Sequence, residues 1–249
     1  MQNKEIIQNK TQHQYQGISQ PVNQHIGSCN MALVRLKFEK IVKNSNSSRA
    51  HQLRGAIAEK FNEPIFHNHE NNKLVYSYPL IQYRWENNTG FGVITGINQG
   101  AERLVKIPWV DLELFLGNEK FTIAEAEISY RKSNVSLSNK LERYVFISPW
   151  LPFNQENYNK YQNLSLTEQR KELDRLLVAQ ILMVLKGLQI QVTDRLYAAF
   201  ELKSFVKVQY KEQTLVGFLG NFVTNLALPN DFAIGRSVSH GYGWFTSFA

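Results

Sequence analysis

Cysteine is almost absent from this chain, whose 249 residues include only Cys29. One cysteine cannot form an internal disulfide, and no cysteine pair is available for a zinc site, so we expect a reducing, cytoplasmic setting. The chain also lacks a run close to the roughly 18 apolar residues that span a membrane, and its first residues lack the apolar core of a secretory signal. These absences exclude a disulfide-bonded secreted domain and predict no membrane partner.

Basic side chains outnumber acidic ones in this sequence. The 28 Lys and Arg residues outnumber the 21 Asp and Glu residues and give a formal net charge of +7. This excess favours a polyanionic partner, although many basic proteins bind no nucleic acid. The hydrophobic fraction of 43% is enough for the core of one large domain or two small ones.

The first 30 residues, MQNKEIIQNKTQHQYQGISQPVNQHIGSCN, are rich in Gln and Asn and show no sustained hydrophobic period. Such a segment buries too little apolar surface to order itself. We therefore predict a disordered extension over residues 1–30, with the patterned part of the chain beginning at Met31.

Periodicity in the first half predicts elements in the order β, α, β, β, α, β. Apolar and charged residues alternate from Val34 to Phe38, as in a half-buried strand, and a helix follows that ends near Asn62. Three more strands are predicted in LVYSYPLIQYRW, FGVITGI and KFTIAEAEISYRK, and a second helix in RLVKIPWVDLELFLG, ending at Gly117. This order is typical of a ferredoxin-like domain, here residues 31–135.

The second half repeats the scheme more loosely. ERYVFISPW is a predicted strand, and the longest helix, SLTEQRKELDRLLVAQILMVLKG, opens with a capping box of Ser165 and Glu168 and closes at Gly187. FELKSFVKVQYKEQTLVGFLGNFVTNL then supplies two strands. We predict an α+β fold of two tandem ferredoxin-like (RRM-like) domains, the second over residues 136–249, joined within the polar stretch 130–142.

Two histidines one residue apart, His67 and His69, lie in a polar loop after the first helix. They are open to three interpretations: solvated side chains, metal ligands, or a catalytic acid and base. A metal site needs three or four ligands, and the loop offers only Glu70 beside them, so we expect no metal and no cofactor. Two imidazoles that titrate near neutral pH can serve as base and acid when the 2'-hydroxyl of RNA attacks its neighbouring phosphate.

Two further side chains are candidates for the same chemistry. Tyr76, at the start of the next strand, can orient the histidine pair or hydrogen-bond the phosphate; a packed strand aromatic is the alternative. His51, on the first helix three residues before Arg54, is a secondary catalytic candidate, although helix histidines more often pack or face solvent.

The C-terminal stretch IGRSVSHGYGWF is a candidate RNA-binding loop, because glycines let backbone N–H groups approach a phosphate closely. Its candidate residues are Gly235, Arg236, Ser237, Ser239, His240, Gly241 and Gly243. The alternative is a glycine-rich hairpin that enters the last strand. Lys203 and Lys207, which flank Phe205 on a predicted strand, either extend the RNA surface or solvate an outer face.

These motifs resemble those of a known family. IGRSVSHGYGWF is similar to the glycine-rich loop that precedes the last strand in the repeat-associated RAMP superfamily. LRGAIAEKF followed by IFHNHENNKLVYSYPLIQYR resembles the N-terminal signature of the branch found with type I-B systems. Over about residues 31–248 the chain thus resembles the CRISPR-associated endoribonucleases of the Cas-six family, which cut precursor CRISPR RNA within each repeat.

The resemblance implies that His67 and His69 are the catalytic pair, that Tyr76 matches a tyrosine of the family and that the loop glycines contact RNA. Two features depart from it: the first 30 residues, and His51, a helix histidine of the kind that other branches use. We expect a metal-independent endoribonuclease that leaves 2',3'-cyclic phosphate and 5'-hydroxyl ends.

The expected partner is CRISPR repeat RNA, and the sequence leaves open whether the chain binds other subunits of a CRISPR effector complex or forms a homodimer. The alternative function is a cleavage-inactive RNA-binding subunit of such a complex. A metal-dependent nuclease is a third, weaker hypothesis.

Overall fold

The computed structural model describes residues 23–40, 42, 48–67, 69–70, 73–74, 78–210 and 213–248. Its strands are β1 Gln24–Phe38, β2 His69–Glu70, β3 Lys73–Leu74, β4 Ile81–Glu86, β5 Phe91–Ile97, β6 Glu113–Leu116, β7 Glu119–Phe146, β8 Ala198–Tyr210, β9 Gln213–Ala227 and β10 Phe245–Ser247. Its helices are α1 Ser48–Phe61, α2 Pro64–His67, α3 Gln99–Leu104, α4 Gln155–Gln162 and α5 Leu166–Gly187, with a 3-10 turn over Val238–His240.

One antiparallel sheet runs through both halves of the chain in the order β4-β5-β1-β7-β9-β8. Strands β6 and β10 pair with β7, and β2 pairs with β3 separately. In the first half, β1, α1, β4, β5, α3 and the start of β7 give the expected β, α, β, β, α, β order. The predicted α+β, ferredoxin-like class is therefore confirmed.

The second half begins inside β7. The end of this strand lies between β9 and β10, and β8 forms the outer edge, so the order β10-β7-β9-β8 repeats that of the first half. Helix α5 follows β7, but no long second helix precedes β10. The glycine-rich stretch and its 3-10 turn occupy that position in the chain.

The prediction of disorder up to residue 30 is wrong for its last residues, because β1 begins at Gln24. Residues 24–30 pair with β7, Gln24 opposite Leu137 and Asn30 opposite Lys132. Backbone hydrogen bonds to β7 hold this polar segment in place. Only Cys29 within it is fully buried, so its sequence shows no hydrophobic period that would indicate a strand. The rest of the predicted extension, residues 1–22, lies outside the described residues.

The region predicted as a polar join is also a strand. Residues 130–142 lie within the 28-residue β7, which pairs with β1 along its first part and with β9 along its last part. ERYVFISPW is the end of this same strand, followed by a bridge from Trp150 to Phe218. The two halves therefore share one strand, and no loop separates them.

The predicted helix over RLVKIPWVDLELFLG is wrong. Helix α3 ends at Leu104, and Glu113–Leu116 instead forms β6 against β7. Pro108 cannot continue a helix, and Leu114 and Leu116 are buried while Phe115 is exposed, which is the period of a strand. Helix α4, whose Asn154 cap accepts a hydrogen bond from the Asn157 N–H, was not predicted.

The longest helix was predicted well. Helix α5 has the capping box of Ser165 and Glu168 and ends at Gly187, where a Cβ would lie 2.4 Å from that of Tyr78. Its buried stripe packs in the core of the second half, and α1 packs in a separate core of the first half. The two strands predicted after α5 are β8 and β9.

Candidate functional site

Helix α1 presents two basic side chains on one face. Leu53 and Ile57 are buried in the core of the first half, whereas His51 is exposed and Arg54 is half-buried. His51 and Arg54 are three residues apart and therefore neighbours on the helix surface. This face meets two other segments, the glycine-rich stretch near the C-terminus and the end of α2 at His67.

The glycine-rich loop, residues 235–243, approaches α1 through a backbone that only glycine readily adopts. Gly235, Gly241 and Gly243 have φ values of +112°, +93° and +72°. A Cβ on Gly241 would lie 2.8 Å from the Cβ of Ala50 and 3.3 Å from the carbonyl oxygen of Tyr83. The loop therefore lies directly on α1 and β4.

His51 and His240 meet where this loop crosses α1. Their Nδ1 atoms are 2.8 Å apart, and their rings are nearly parallel, at 25° with centroids 4.9 Å apart. His240 is 8% exposed, and the ring of Tyr210, at the end of β8, lies nearly perpendicular to its ring, at 87° with centroids 5.1 Å apart. Three distant parts of the chain thus converge on this histidine.

Both sides of the loop are anchored by charged groups. The guanidinium of Arg84 lies 3.7 Å from the centroid of the Trp244 ring and donates to Asp231 at 3.2 Å. Asp231 also accepts a hydrogen bond from Arg131 of β7 at 3.0 Å. Burial lowers the pKa of Arg84, and the charge of Asp231 opposes that shift.

His67 ends α2, and its backbone is tied to the same helix face. Arg54 donates from Nη2 to the carbonyl oxygen of His67 at 2.7 Å. The residue before α2, Glu63, accepts hydrogen bonds from Nε and Nη2 of Arg103 on α3, and Arg103 holds the pKa of this carboxyl below its ordinary value. These contacts fix α2 between α1 and α3.

The other predicted catalytic residues are less fully described. The backbone of His69 is in β2, opposite Leu74 of β3. Its side chain and the whole of Tyr76 lie outside the described residues. The structure therefore brings His51 to the glycine-rich loop and the backbone of His67 to Arg54, and it leaves the pairing of His67 with His69 a prediction.

The predicted RNA-binding residues differ in exposure. Arg236 is exposed, and its N–H donates to the carbonyl oxygen of Leu151. Ser237 has a left-handed backbone, and its carbonyl oxygen accepts the N–H of His240. Ser239 is half-buried.

The two predicted lysines of β8 are exposed, and they flank an aromatic side chain. Lys203 forms an ion pair with Glu201 at 2.5 Å, whereas Lys207 has no ion pair within the described part of the chain. Phe205 lies between them and is 66% exposed. The large apolar side chain at this position makes it a candidate contact for a nucleic-acid base.

Sequence reasoning missed several residues that shape this site. Tyr210 follows Val206 and Val208 at strand spacing, which places all three on the face that packs against Leu151 and Tyr242. This spacing of every second residue could be seen in the sequence. The cluster of Arg84, Asp231 and Trp244 joins positions far apart in the chain, and no local pattern indicated it.

No group of three or more His, Cys, Asp and Glu side chains in the described residues is arranged to hold a metal ion. No helix in the part of the chain that the structure describes has the length and apolarity needed to cross a bilayer.

Family models match almost the whole described chain. The Cas6b N-terminal domain matches residues 30–134, and the Cas6b C-terminal domain matches residues 136–248. The chain belongs to the Cas6b family. The family resemblance predicted from the two sequence motifs is confirmed.

Individual Cas6b structures are similar to this chain over most of its length. A crystal structure of Cas6b matches with a TM-score of 0.80 and 29% identity, covering 89% of this chain and 100% of the other. A CRISPR RNA processing endoribonuclease Cas6b matches with a TM-score of 0.68 and 25% identity, over 88% and 100%. An uncharacterized protein of Methanocaldococcus jannaschii is 34% identical over 132 residues, 53% of this chain and 89% of that protein.

Proposed function

We propose that this Cas6b-family chain cleaves precursor CRISPR RNA within the repeats by attack of a 2'-hydroxyl on the adjacent phosphate, without a metal ion. Membership of the Cas6b family makes it a CRISPR RNA-processing endoribonuclease. The observation that carries the chemical proposal is the convergence on one face of α1: Arg54 binds the backbone of His67, and His51 contacts His240.

The reaction needs one base and one acid. The base takes the proton of the 2'-hydroxyl as the new bond from O2' to phosphorus forms, and the acid protonates the 5'-oxygen as its bond to phosphorus breaks. The products are a 2',3'-cyclic phosphate and a 5'-hydroxyl, so protons balance and water is not consumed. We assign the two proton transfers to the pair of His67 and His69, with Tyr76 orienting the pair or the phosphate.

His51 is the second candidate for one of these roles. It lies one helical turn from Arg54 and is exposed, although its Nδ1 is engaged by His240. A base or acid at this position would therefore act through Nε2. This geometry makes His51 the next residue to test if the loop histidines are dispensable.

The RNA is proposed to follow the glycine-rich loop and the exposed side of β8. The loop supplies Arg236 and backbone N–H groups, and the strand supplies Lys203, Lys207 and the exposed ring of Phe205. Basic side chains with an interleaved aromatic residue suit a single-stranded RNA backbone and its unstacked bases. The net charge of +7 favours the same partner.

The test is cleavage of end-labelled repeat RNA in EDTA by the native protein and by His67→Ala and His69→Ala. We expect full cleavage by the native protein, products with 2',3'-cyclic phosphate ends, and loss of cleavage with retained RNA binding in both variants. Undiminished cleavage by both variants would reject their assignment and direct the same assay to His51→Ala. Activity lost in EDTA and restored by zinc or manganese would reject the metal-free reaction.

A stable RNA complex with no shorter product would instead indicate an RNA-binding subunit. Homodimerisation and binding to effector subunits stay predictions. Light scattering of the purified chain, with and without repeat RNA, measures the first of these directly.

A further inference from the structure

One stretch of β7 has a neighbouring strand on one side only. Ile123 pairs with Phe38 of β1 on one edge, and on the other edge it exchanges backbone hydrogen bonds with the segment 111–112, which leads into β6. Ser136 likewise pairs with β1 on one edge and with β9 on the other. Between these points β1 continues along β7, whereas in the described part of the chain no strand pairs with the opposite edge. We call residues 124–130 on that side the open edge.

The open edge carries exposed apolar side chains. Residues 127–130 are all exposed, and they include Ile128 at 45% and Tyr130 at 49%, which lie on the same face of the strand because they are two residues apart. The sequence of the open edge, AEAEISY, contains no proline and no lysine, two residues that protect sheet edges from pairing. The N–H and C=O groups on that side are therefore a template for one more strand.

We propose that the open edge is a docking site for an extended segment of a protein partner, which adds one strand to the sheet, antiparallel to β7. The strands at both ends of this position, β6 and β9, are antiparallel to β7, so the added strand continues their arrangement. Strand addition takes its affinity from main-chain hydrogen bonds and its specificity from alternate side chains. Residues 124–130 span about 24 Å at about 3.4 Å per residue, which fits a strand of ordinary length. The site is independent of the RNA cleavage proposed above.

The shape of the open edge argues against a second copy of this chain as the occupant. Strands β6 and β9 lie beside β7 at the two ends of the open edge, about 4.8 Å further out, so the open edge is recessed between them. Two copies that paired their open edges would place β6 and β9 of each copy in the space of the other copy's β7. A single extended segment enters the recess without that clash.

The end of the open edge near β6 carries negative charge. Arg35 is shared by Glu86 and Glu127, at 2.8 and 3.0 Å, so this cluster keeps one negative charge. The ion pair of Lys37 with Glu125 adds no net charge. A basic residue of the partner is therefore favoured at this end, because opposite charges on neighbouring strands attract each other. The same negative charge disfavours an RNA phosphate here.

The end of the open edge near β9 carries positive charge. Beyond Tyr130 lies a cavity of about 410 Å³, which is lined by Arg131 and by residues 227–231 at the end of β9 and after it. Asp231 is shared by Arg131 and Arg84, at 3.0 and 3.2 Å, so this cluster keeps one positive charge. Since an antiparallel strand begins at this end, the partner segment is acidic at its N-terminal end, apolar in its middle and basic towards its C-terminal end.

The probe is a synthetic peptide, acetyl-DVTVKVT-amide, which carries a fluorophore and is titrated with the full chain. In the proposed register its aspartate lies opposite Arg131, its first two valines lie opposite Tyr130 and Ile128, and its lysine lies opposite Glu127. The controls are two peptides of the same sequence with N-methyl groups on alternate residues, one in each phase. Only one phase blocks the hydrogen bonds to β7, because alternate residues of a strand bond to opposite sides.

Fluorescence anisotropy measures the affinity of each peptide. We expect saturable binding of the parent peptide and at least about tenfold weaker binding of one N-methylated phase, which loses two or more main-chain hydrogen bonds. No saturable binding of the parent peptide, or equal binding of both N-methylated phases, would overturn the proposal.

Variants of the chain test the side chains of the open edge. Ile128→Lys should weaken the parent peptide by about tenfold, because an apolar contact is lost. Leu182→Lys, which changes a 41% exposed leucine on α5, is the matched control and should leave the affinity unchanged. Glu127→Lys should weaken the parent peptide and strengthen a peptide that has aspartate in place of its lysine. Equal effects of Ile128→Lys and Leu182→Lys would contradict docking at the open edge.

Hydrogen exchange of amides 124–130 identifies any other occupant. In the free chain we expect every second amide of the open edge to exchange rapidly, and we expect the peptide to protect these amides. Uniform protection in the free chain that increases with protein concentration would indicate a second copy, and uniform protection at every concentration would indicate a segment of the same chain. Either result would overturn the proposal. None of these measurements uses RNA, so a chain that cuts no repeat RNA would reject the proposed function and leave the test of the open edge intact.

Discussion

Arg54 on α1 donates a hydrogen bond to the main-chain carbonyl oxygen of His67, with 2.7 Å between Nη2 and O. The contact fixes the end of α2, two residues before His69. A displacement of about 1 Å in a catalytic group can cost on the order of a hundredfold in rate. Arg54→Ala is therefore expected to slow single-turnover cleavage by about tenfold to a hundredfold.

The affinity for repeat RNA separates positioning from binding in this variant. We expect Arg54→Ala to leave the dissociation constant within about threefold, a free-energy change below about 1 kcal/mol. Lys60→Ala, which removes an exposed cation from the last turn of the same helix, is the matched control and should leave both quantities unchanged. A loss of affinity that accounts for the whole loss of rate would contradict the positioning role.

Gly241 tests the close approach of the glycine-rich loop to α1. Alanine there has an unfavourable left-handed backbone, and its Cβ would lie 2.8 Å from that of Ala50. We expect Gly241→Ala to lower the free energy of unfolding by at least about 1 kcal/mol and to impair cleavage. Gly55→Ala is the control, because among the described residues an added Cβ there has no atom within 4 Å beyond its chain neighbours and the backbone of its own helix. Because Gly55 is inside α1, Gly55→Ala should raise the free energy of unfolding by about 0.5–1 kcal/mol. Urea unfolding measures this quantity for both variants.

The order of elements in the first half was predictable because each has a clear period. Strands β1, β4 and β5 and helix α1 bury one face or both against one core, so their sequences alternate at the spacing of strand or helix. The wrong predictions are in segments whose structure depends on pairing with a strand that is distant in the sequence. The start of β1 is held by hydrogen bonds to β7, and the short strand β6 forms by pairing with the beginning of β7.

The candidate site was predictable in its residue types and not in its contacts. The histidines and glycines were singled out because their side chains carry chemistry or permit left-handed backbone. The contact between His51 and His240 depends on how the C-terminal loop returns across the sheet to α1, and no local spacing encodes that path. Sequence reasoning therefore assigned the two histidines to separate roles, whereas the fold joins them.

Phe205 is expected to stack on a base of the bound RNA. The ring is 66% exposed between two lysines on β8, and stacking on an aromatic residue contributes about 1–3 kcal/mol per base. Phe205→Ala should weaken repeat-RNA binding by that amount, measured by fluorescence anisotropy at fixed salt. Phe115→Ala, which removes a 58% exposed ring from β6, is the matched control and should have no effect.

Lys207 gives an electrostatic test of the same surface. A lysine that neutralises one RNA phosphate contributes about 0.7 to the slope of log affinity against log salt concentration. Lys207→Gln should reduce the slope by that amount, whereas Lys60→Gln on α1 should leave it unchanged. Equal slopes for both variants and the native protein would show that Lys207 does not contact an RNA phosphate.

Cys29 reports on the part of β1 that was predicted to be disordered. Burial raises the pKa of its thiol to about 11, and the nearby charge of Arg131 opposes the shift only in part. At about pH 8 the thiolate fraction in the native protein should therefore be on the order of one in a thousand. We expect a chromogenic disulfide reagent to react slowly with the native protein and rapidly in urea. Rapid native reaction would show that this end of β1 is open in solution.

The same shift predicts how stability depends on alkaline pH. The unfolded thiol ionises near its ordinary pKa of 9.0 and the native thiol only near 11, so the unfolded state loses its proton first. Stability from this group is complete below about pH 9 and falls as the pH rises towards 11, by on the order of 2 kcal/mol. Cys29→Ala should lack this component. The difference between their unfolding free energies at about pH 8 and pH 10.5 isolates the buried thiol, and a constant difference would contradict its burial.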